Sequence, residues 1–285
     1  MIGHLGWATT GDARGHDDDE PLALAALTAA GVSVEVVDWD DPAVRWAGFD
    51  RVVLRSTWDY SQRLPEFHGW LDRVDAMTDL VNPGPLVRWN LDKHYLAELA
   101  AAGVPVIDTA FVEPGAPVAF PGTGFVVKPA VGAGSRDVAS YRPDQLDQAT
   151  RHLGRLHRRG ATALVQPLIG SVAEHGEWAL LFFGGRYSHA ANKRVALPPG
   201  GETDALFLAE ALTGHEADDA QLAVARAAVD AVAARFGTPA YARVDLVRDD
   251  EGGYRVLELE LVEPSLFLPQ GGPAAAARLA AVLRA

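Results

Sequence analysis

The sequence predicts an α/β (α+β) chain, with a small parallel α/β domain first and two α+β segments after it. Three observations predict it. Strand and helix patterns alternate through the first third of the chain, which is the rhythm of βαβ units and a parallel sheet. Short apolar strands broken by Pro and Gly follow, with alanine-rich amphipathic helices between them. The length of 285 residues suits about two domains.

The elements are expected in this order. Met1-Ile2-Gly3-His4-Leu5-Gly6-Trp7 reads as a first strand, because it lacks the basic start and long apolar run of a signal peptide. Residues 21–30 form a helix stopped by Gly31. Acidic residues Asp17-Asp18-Asp19-Glu20 precede it and are read as its solvated approach, on the side of the helix dipole that favours them. Strands follow at 33–37 and 51–54, then a helix at 67–74. Asn82-Pro83-Gly84-Pro85 is a loop and a domain boundary. Asn90-Leu91-Asp92-Lys93 opens a helix running to Ala102 and closed by Gly103. Strands at 107–112, 124–128 and 163–166, and helices at 143–159, 217–236 and 273–284, complete the set. The Pro198-Pro199-Gly200-Gly201 loop is expected to be mobile.

Composition removes several function classes. The chain has no Cys, so disulfides, zinc–thiolate sites and a Cys nucleophile are excluded. Its formal net charge of −13 argues against nucleic acid or an anionic membrane as partner. No run reaches the roughly 18 apolar residues of a membrane span, so a cytoplasmic location is expected. The histidines show no HExxH or other ligand spacing. His4, His68 and His189 are read as structural, and His175, beside Glu177, is left open.

The strongest local signal is C-terminal. In the strand Tyr241-Ala242-Arg243-Val244-Asp245-Leu246-Val247, Arg243 and Asp245 share a face. A turn at 249–253 leads into Val256-Leu257-Glu258-Leu259-Glu260-Leu261. There the alternation puts Glu258 and Glu260 on one side and Leu257, Leu259 and Leu261 on the other. Folded as an antiparallel hairpin, this gathers three carboxylates, whose mutual repulsion a divalent cation relieves. A hairpin with one wet acidic face is the plain alternative.

A second signal is Phe125-Val126-Val127-Lys128-Pro129 followed by Ala130-Val131-Gly132-Ala133-Gly134-Ser135-Arg136. Small residues let backbone N–H groups approach phosphate oxygens, and Lys128 adds charge. It is neither a Walker A nor a complete Rossmann fingerprint. Lys93 at a helix start opposes the helix dipole unless an anion sits nearby. Leu164-Val165-Gln166-Pro167-Leu168-Ile169 suits a hinge whose backbone pairs with an adenine edge, and Glu177 suits ribose hydroxyls. Each of these has an ordinary structural reading of its own.

Their order, from Lys93 through Lys128 and its loop to the Asp245…Glu258-x-Glu260 hairpin, resembles the ATP-grasp superfamily over residues 82–268, in its glutathione synthetase and ribosomal-protein glutamate-ligase branch. The resemblance implies an ATP-grasp fold with a substrate domain at 1–85, a lid subdomain at 86–165 and a C-terminal subdomain at 166–285. It implies that Lys93 and Lys128 hold ATP phosphates under a loop carrying Gly132, Gly134 and Ser135. Gln166 and Leu168 then flank adenine through their backbones, Glu177 binds ribose, and Asp245, Glu258 and Glu260 hold Mg2+, for which Mn2+ substitutes. Glu260 stands where the family often has Asn. Arg243, Lys193 and Arg194 are the candidates for neutralising charge during reaction.

Arg55-Ser56-Thr57-Trp58-Asp59-Tyr60 and Leu261-Val262-Glu263-Pro264-Ser265 extend the resemblance to actinobacterial amino-acid ligases, of the γ-glutamyl dipeptide or D-cycloserine-forming type. Arg55, Ser56, Asp59, Glu263 and Ser265 are the substrate candidates, with Arg55 suited to a carboxylate. Core packing is at least as good a reading of Trp58. The expected activity joins a carboxylate to an amine through an acyl phosphate, with small amino-acid-like molecules as partners; a homodimer is compatible with it. The alternatives are ring closure within one substrate, as of O-ureido-serine to cycloserine, and nucleotide binding without turnover.

Overall fold

The structure, a computed structural model, describes residues 2–134, 136–195 and 210–285. Ser135 and the Pro198–Gly201 loop lie outside the described residues.

The first third is a four-stranded parallel sheet. Strands β1 (His4–Thr9), β2 (Ser33–Asp38), β3 (Arg51–Leu54) and β4 (Asp79–Val81) lie in the order β2-β1-β3-β4. Helix α1 (Glu20–Ala29) covers one face and α2 (Leu64–Asp75) the other. Parallel strands need such crossovers, and helices on both faces explain why Val52, Val53 and Leu54 are all buried.

Helices α3 (Gly84–Asn90) and α4 (Tyr95–Ala101) follow. One helix was expected from Asn90 to Ala102. The chain instead ends a helix at Asn90 and restarts it at Tyr95, so Lys93 lies in the turn between them, its N–H bonded to Ala130 O at 3.0 Å.

Strands β5 (Ala110–Val112), β6 (Phe125–Pro129), β7 (Ala139–Tyr141) and β8 (Ala163–Pro167) form an antiparallel sheet in the order β5-β8-β6-β7. Helix α5 (Leu146–Arg158) packs on it through Ala149, Leu153 and Leu156. The strand expected from 107 begins at Ala110, and Val106 makes only an isolated bridge to Val256.

After the short helix α6 (Ser171–His175), strands β9 (Glu177–Phe183), β10 (Arg186–Val195), β11 (Glu210–His215), β12 (Tyr241–Arg248) and β13 (Tyr254–Glu260) form an antiparallel sheet in the order β11-β10-β9-β12-β13. Two further helices, α7 (Asp219–Phe236) and α8 (Leu268–Leu283), pack against it.

This sheet organises the molecule because both of its faces are used. In β9, Trp178, Leu180 and Phe182 join a core with α3, α4 and α7. The alternate residues Ala179, Leu181 and Phe183 join a second core with α1 and α8. The period-2 geometry of a strand thus serves two layers from one apolar run. Leu86, Tyr95, Leu96 and Leu99 of α3 and α4 also sit in the first core, packed on the large sheet.

Strand β13 is an edge, and side chains cover it. Asn90 Nδ2 donates to Leu259 O at 2.8 Å and Asn90 Oδ1 accepts from Leu261 N at 2.7 Å; the Tyr95 hydroxyl accepts from Leu259 N at 3.0 Å. Asn82 donates to Tyr241 O and Leu261 O at 2.9 and 2.7 Å, joining the end of the first domain to the hairpin. Such contacts satisfy backbone groups that burial would otherwise leave orphaned. Among the described residues no helix is long and apolar enough to cross a membrane.

Candidate active site

The second-core face of the large sheet is divided. Helices α1 and α8 bury the end with Tyr241 and Phe183. The other end of that face carries Glu177, Lys193, Arg243 and Asp245, and with the β5–β8 sheet it encloses a cavity of about 260 Å³. Register explains the grouping. Lys193 pairs with Glu177, Asp245 with Glu258, and Arg243 with Glu260, and directly opposed residues share a face.

Alternation breaks in the β12–β13 hairpin. A bulge lies between the Asp245–Glu258 and Leu246–Val256 pairs. It moves Leu257 out of the core and into the cavity wall, while Val256 takes the core position. The expected alignment of Leu257 with Leu259 and Leu261 is therefore corrected; bulges re-aim side chains in this way.

Among the described residues, five cations (Lys93, Lys128, Arg136, Lys193, Arg243) and five carboxylates (Glu177, Asp245, Glu258, Glu260, Glu263) line the cavity. A chain of net charge −13 thus keeps a cavity where cations match carboxylates, which a phosphate can enter. Most of these groups already have partners. Lys93 Nζ is 3.0 Å from Glu258, and Lys128 Nζ is 3.8 Å away from it. Lys193 Nζ bridges Asp245 at 2.7 Å and Glu177 at 3.1 Å. Arg243 binds Asp245 at 2.9 Å and also Glu260.

The titration follows. Burial alone would raise Glu258, but Lys93 and Lys128 outweigh it and hold the carboxyl down at about 2. Burial pushes Glu260 up to about 7 against the pull of Arg243, with Glu258 and Asp245 adding repulsion. Lys128 is lowered, chiefly by burial, with Glu258 opposing and Lys93 adding to the fall. Glu263 rises to about 8 through burial and then the charge of Glu260. Among the described residues Glu263 has no cation within ion-pair distance, and the Tyr60 phenol faces it.

Asp245, Glu258 and Glu260 sit on one wall, as the hairpin pattern predicts. Among the described residues no three acidic or His side chains converge as a ready metal cage, because each of these carboxylates is turned toward a Lys or Arg. Their hard oxygen donors nonetheless suit magnesium shared with phosphates.

Other sequence candidates fall as follows. Gly132 and Gly134 line the cavity, and Gly132 O accepts from Lys93 Nζ at 3.2 Å. Gln166, Leu168, Glu177 and Ser265 line it too. The Leu168 N–H is taken by Gly124 O at 2.8 Å, while its side chain is 45% exposed.

Arg194 is corrected: it alternates with Lys193 and faces solvent. Arg55, Ser56 and Asp59 are also outside the cavity wall. Arg55 is buried and donates to Pro264 O at 2.9 Å. The Ser56 hydroxyl donates to Asp17 at 2.5 Å. Asp59 turns away to Trp39 Nε1 at 2.8 Å and Arg63 at 3.0 Å. The first domain instead offers Trp58 and Tyr60 to the cavity. The Asp17–Glu20 run is no solvated approach, since Asp17 and Asp19 are buried. His175 stacks near Trp178, 6.2 Å between centroids, away from the cavity wall. Sequence reasoning missed Phe267, Tyr95 and the apolar wall of Ile107, Val126 and Val172. Only Val126 carried a signal, two residues before Lys128 on the same face of a strand.

Comparison with known proteins completes the picture. A family model described as "D-cycloserine synthetase DcsG, N-terminal domain" matches residues 5–82. The cycloserine biosynthesis protein DcsG of Streptomyces lavendulae is 44% identical over 265 residues, covering 88% of each chain. This chain belongs to the DcsG family. A crystal structure of D-cycloserine synthetase DcsG is similar with a TM-score of 0.91 at 40% identity, covering 99% of both chains. The D-alanine–D-alanine ligase of Bacillus anthracis shares the fold, with a TM-score of 0.71 at 15% identity over 99% of this chain and 96% of that one. The DcsG-family chain therefore has the ATP-grasp fold, and it is a carboxylate–amine ligase, an enzyme that forms C–N bonds.

Proposed function

We infer that the chain closes a ring within one amino-acid derivative, spending ATP to activate its carboxylate. The observation that carries this reading is that a single cavity is lined both by Lys93, Lys128, Lys193 and the three hairpin carboxylates and by Glu263, Ser265, Tyr60 and Trp58. Its relatives' names, cycloserine biosynthesis protein and D-cycloserine synthetase, agree with a ring-closing substrate such as O-ureido-serine.

Residue roles follow from the partners each group has. ATP phosphates exchange for Glu258 at Lys93 and Lys128, beside the backbone of Gly132 and Gly134. Backbone at 166–169 meets adenine, and Glu177 meets ribose. Released from the cations, Asp245, Glu258 and Glu260 face Mg2+. When bound, the metal neutralises charge on the transferring phosphoryl group.

Glu263 is the acidic side chain suited to the substrate ammonium, and the Trp58 ring in the same cavity wall suits a cation. Ser265 also lines the cavity, and its O accepts from Arg243 Nη1 at 3.1 Å. The acid oxygen takes the γ-phosphoryl group and ADP leaves. A nitrogen of the same molecule then attacks the acyl carbon, the C–O bond to phosphate breaks, and the nitrogen loses one proton. Positioning and charge neutralisation carry the rate, and no protein nucleophile is required.

The test is product analysis with ATP, Mg2+ and a panel of amino-acid derivatives. ADP and phosphate should form only with the right acid. The product should need no second amine and should weigh one water less than the substrate; where the ring nitrogen carries a carbamoyl group, water cleaves that N–C bond, the nitrogen takes a proton, and CO2 and ammonia leave. AMP and pyrophosphate would point to adenylation instead. A requirement for a second amine would replace ring closure by dipeptide formation.

A further inference from the structure

Two charged groups are buried outside the cavity wall. Asp19 and Arg55 are each only 2% exposed, and Arg55 Nη2 is 3.5 Å from Asp19 Oδ2. Buried charge persists where it is paired and hydrogen-bonded. Both carboxylate oxygens of Asp19 are committed to one distant segment: Oδ2 accepts from Leu266 N–H at 2.5 Å, and Oδ1 from Leu268 N–H at 2.7 Å. Arg55 donates to Pro264 O of the same segment at 2.9 Å.

That segment forms part of the cavity wall. Glu263, Ser265 and Phe267 project into the cavity, while the peptide groups between them are tied down behind it. Arg243 Nη1 donates to Ser265 O at 3.1 Å, and His189 Nε2 contacts Leu266 O and Phe267 O at 2.9 and 3.1 Å. Phe267 adopts φ 49°, ψ 41°, a left-handed conformation that a bulky L-residue holds only under constraint. It lies between the two amides that Asp19 binds. Its ring sits 5.3 Å from the Arg243 guanidinium carbon. Without those two hydrogen bonds the kink would relax and carry Ser265 and Phe267 out of register with Arg243.

We propose that Asp19 and Arg55 are positioning residues for the acid substrate: touching nothing in the cavity, they set the loop 263–268 that binds it. Lys93, Lys128 and Glu258 hang on other elements, so the effect of Asp19 and Arg55 falls on the acid more than on ATP. Which substrate is bound rests on the ring-closing reading above; the clamp itself does not.

The experiment uses the full chain with Asp19→Asn, Arg55→Lys and the parent. Asp19→Asn removes one acceptor oxygen and the charge beside Arg55. Amide exchange at Leu266 and Leu268 should quicken at least about tenfold, the scale of one lost charge-assisted hydrogen bond, with β12 amides unchanged. The apparent KM for the acid should rise by about tenfold or more, with the KM for ATP within about twofold. Arg55→Lys keeps the charge and gives up the bond to Pro264, so it should shift the acid KM in the same direction by less. It decides the matter if Asp19→Asn does not fold. Unchanged exchange at the two amides, or equal shifts in acid and ATP KM, overturns the proposal and leaves a buried ion pair of purely structural value. If the parent turns over no amino-acid derivative, the functional reading fails, and the exchange measurement still decides the clamp.

Discussion

Lys128 shows what single residues contribute. It is buried beside Glu258 at 3.8 Å, with Lys93 close enough to oppose its charge. Such a lysine is costly in the empty site and gains most from an arriving phosphate. Lys128→Met should therefore weaken binding of a non-hydrolysable ATP analogue by about 1.5–3 kcal/mol, the range for hydrogen bonds to charged groups. Calorimetric titration measures that loss. Melting temperature without nucleotide should hold or rise, because a buried cation has been removed. Residues of this kind were legible because their position in a strand is readable: Lys128 ends an apolar run, and Asp245, Glu258 and Glu260 alternate with apolar neighbours. Arg55 and Asp59 were misplaced for the opposite reason. They follow β3 in a turn, where no periodicity says which way a side chain points, and both turn away from the cavity while Trp58 and Tyr60 enter it.

At the scale of elements, helix α5 and the sheet beneath it hold a buried histidine. His152 Nδ1 lies within hydrogen-bond distance of the Tyr141 hydroxyl, at 3.0 Å. Burial, and then Arg155, lower its pKa from 6.5 to about 4. The unfolded chain therefore takes up the proton first. Stability contributed by the neutral ring is full above about pH 6.5 and is lost as pH falls toward 4. Melting curves between pH 4 and 7 should show this acid limb, and His152→Gln should flatten it relative to the parent. Element types were readable wherever a period was sustained, as in β12, β13 and α7. Boundaries failed where tertiary contacts cut a helical pattern. The 90–102 helix is broken at 91–94 because Lys93 N–H binds Ala130 O, and the reach of Asp19 to Leu266 spans a distance along the chain that no local pattern records.

For the whole molecule, the large sheet joins what the sequence separates. Leu279 of α8 packs in the core shared by α1, β1 and β9, and is 1% exposed. Leu279→Ala should lose about 2–5 kcal/mol, the usual cost of such a buried truncation. Denaturant unfolding should show that loss at Trp7 in the first sheet and at Trp178 in the last together, in one transition. Separate transitions would show that the shared core couples the segments weakly. The same architecture bears on inheritance. The family model for the N-terminal domain covers residues 5–82, a contiguous stretch that looks portable. Yet α1 is packed against α8, and Asp19 and Arg55 grip the loop at 264–268. A graft of 5–82 alone onto a related ligase would arrive with its fingers closed on nothing. On the clamp proposed above, the heritable unit of acid recognition is split, 2–82 with 261–285, and the two pieces would have to change in step for a new substrate to be accepted.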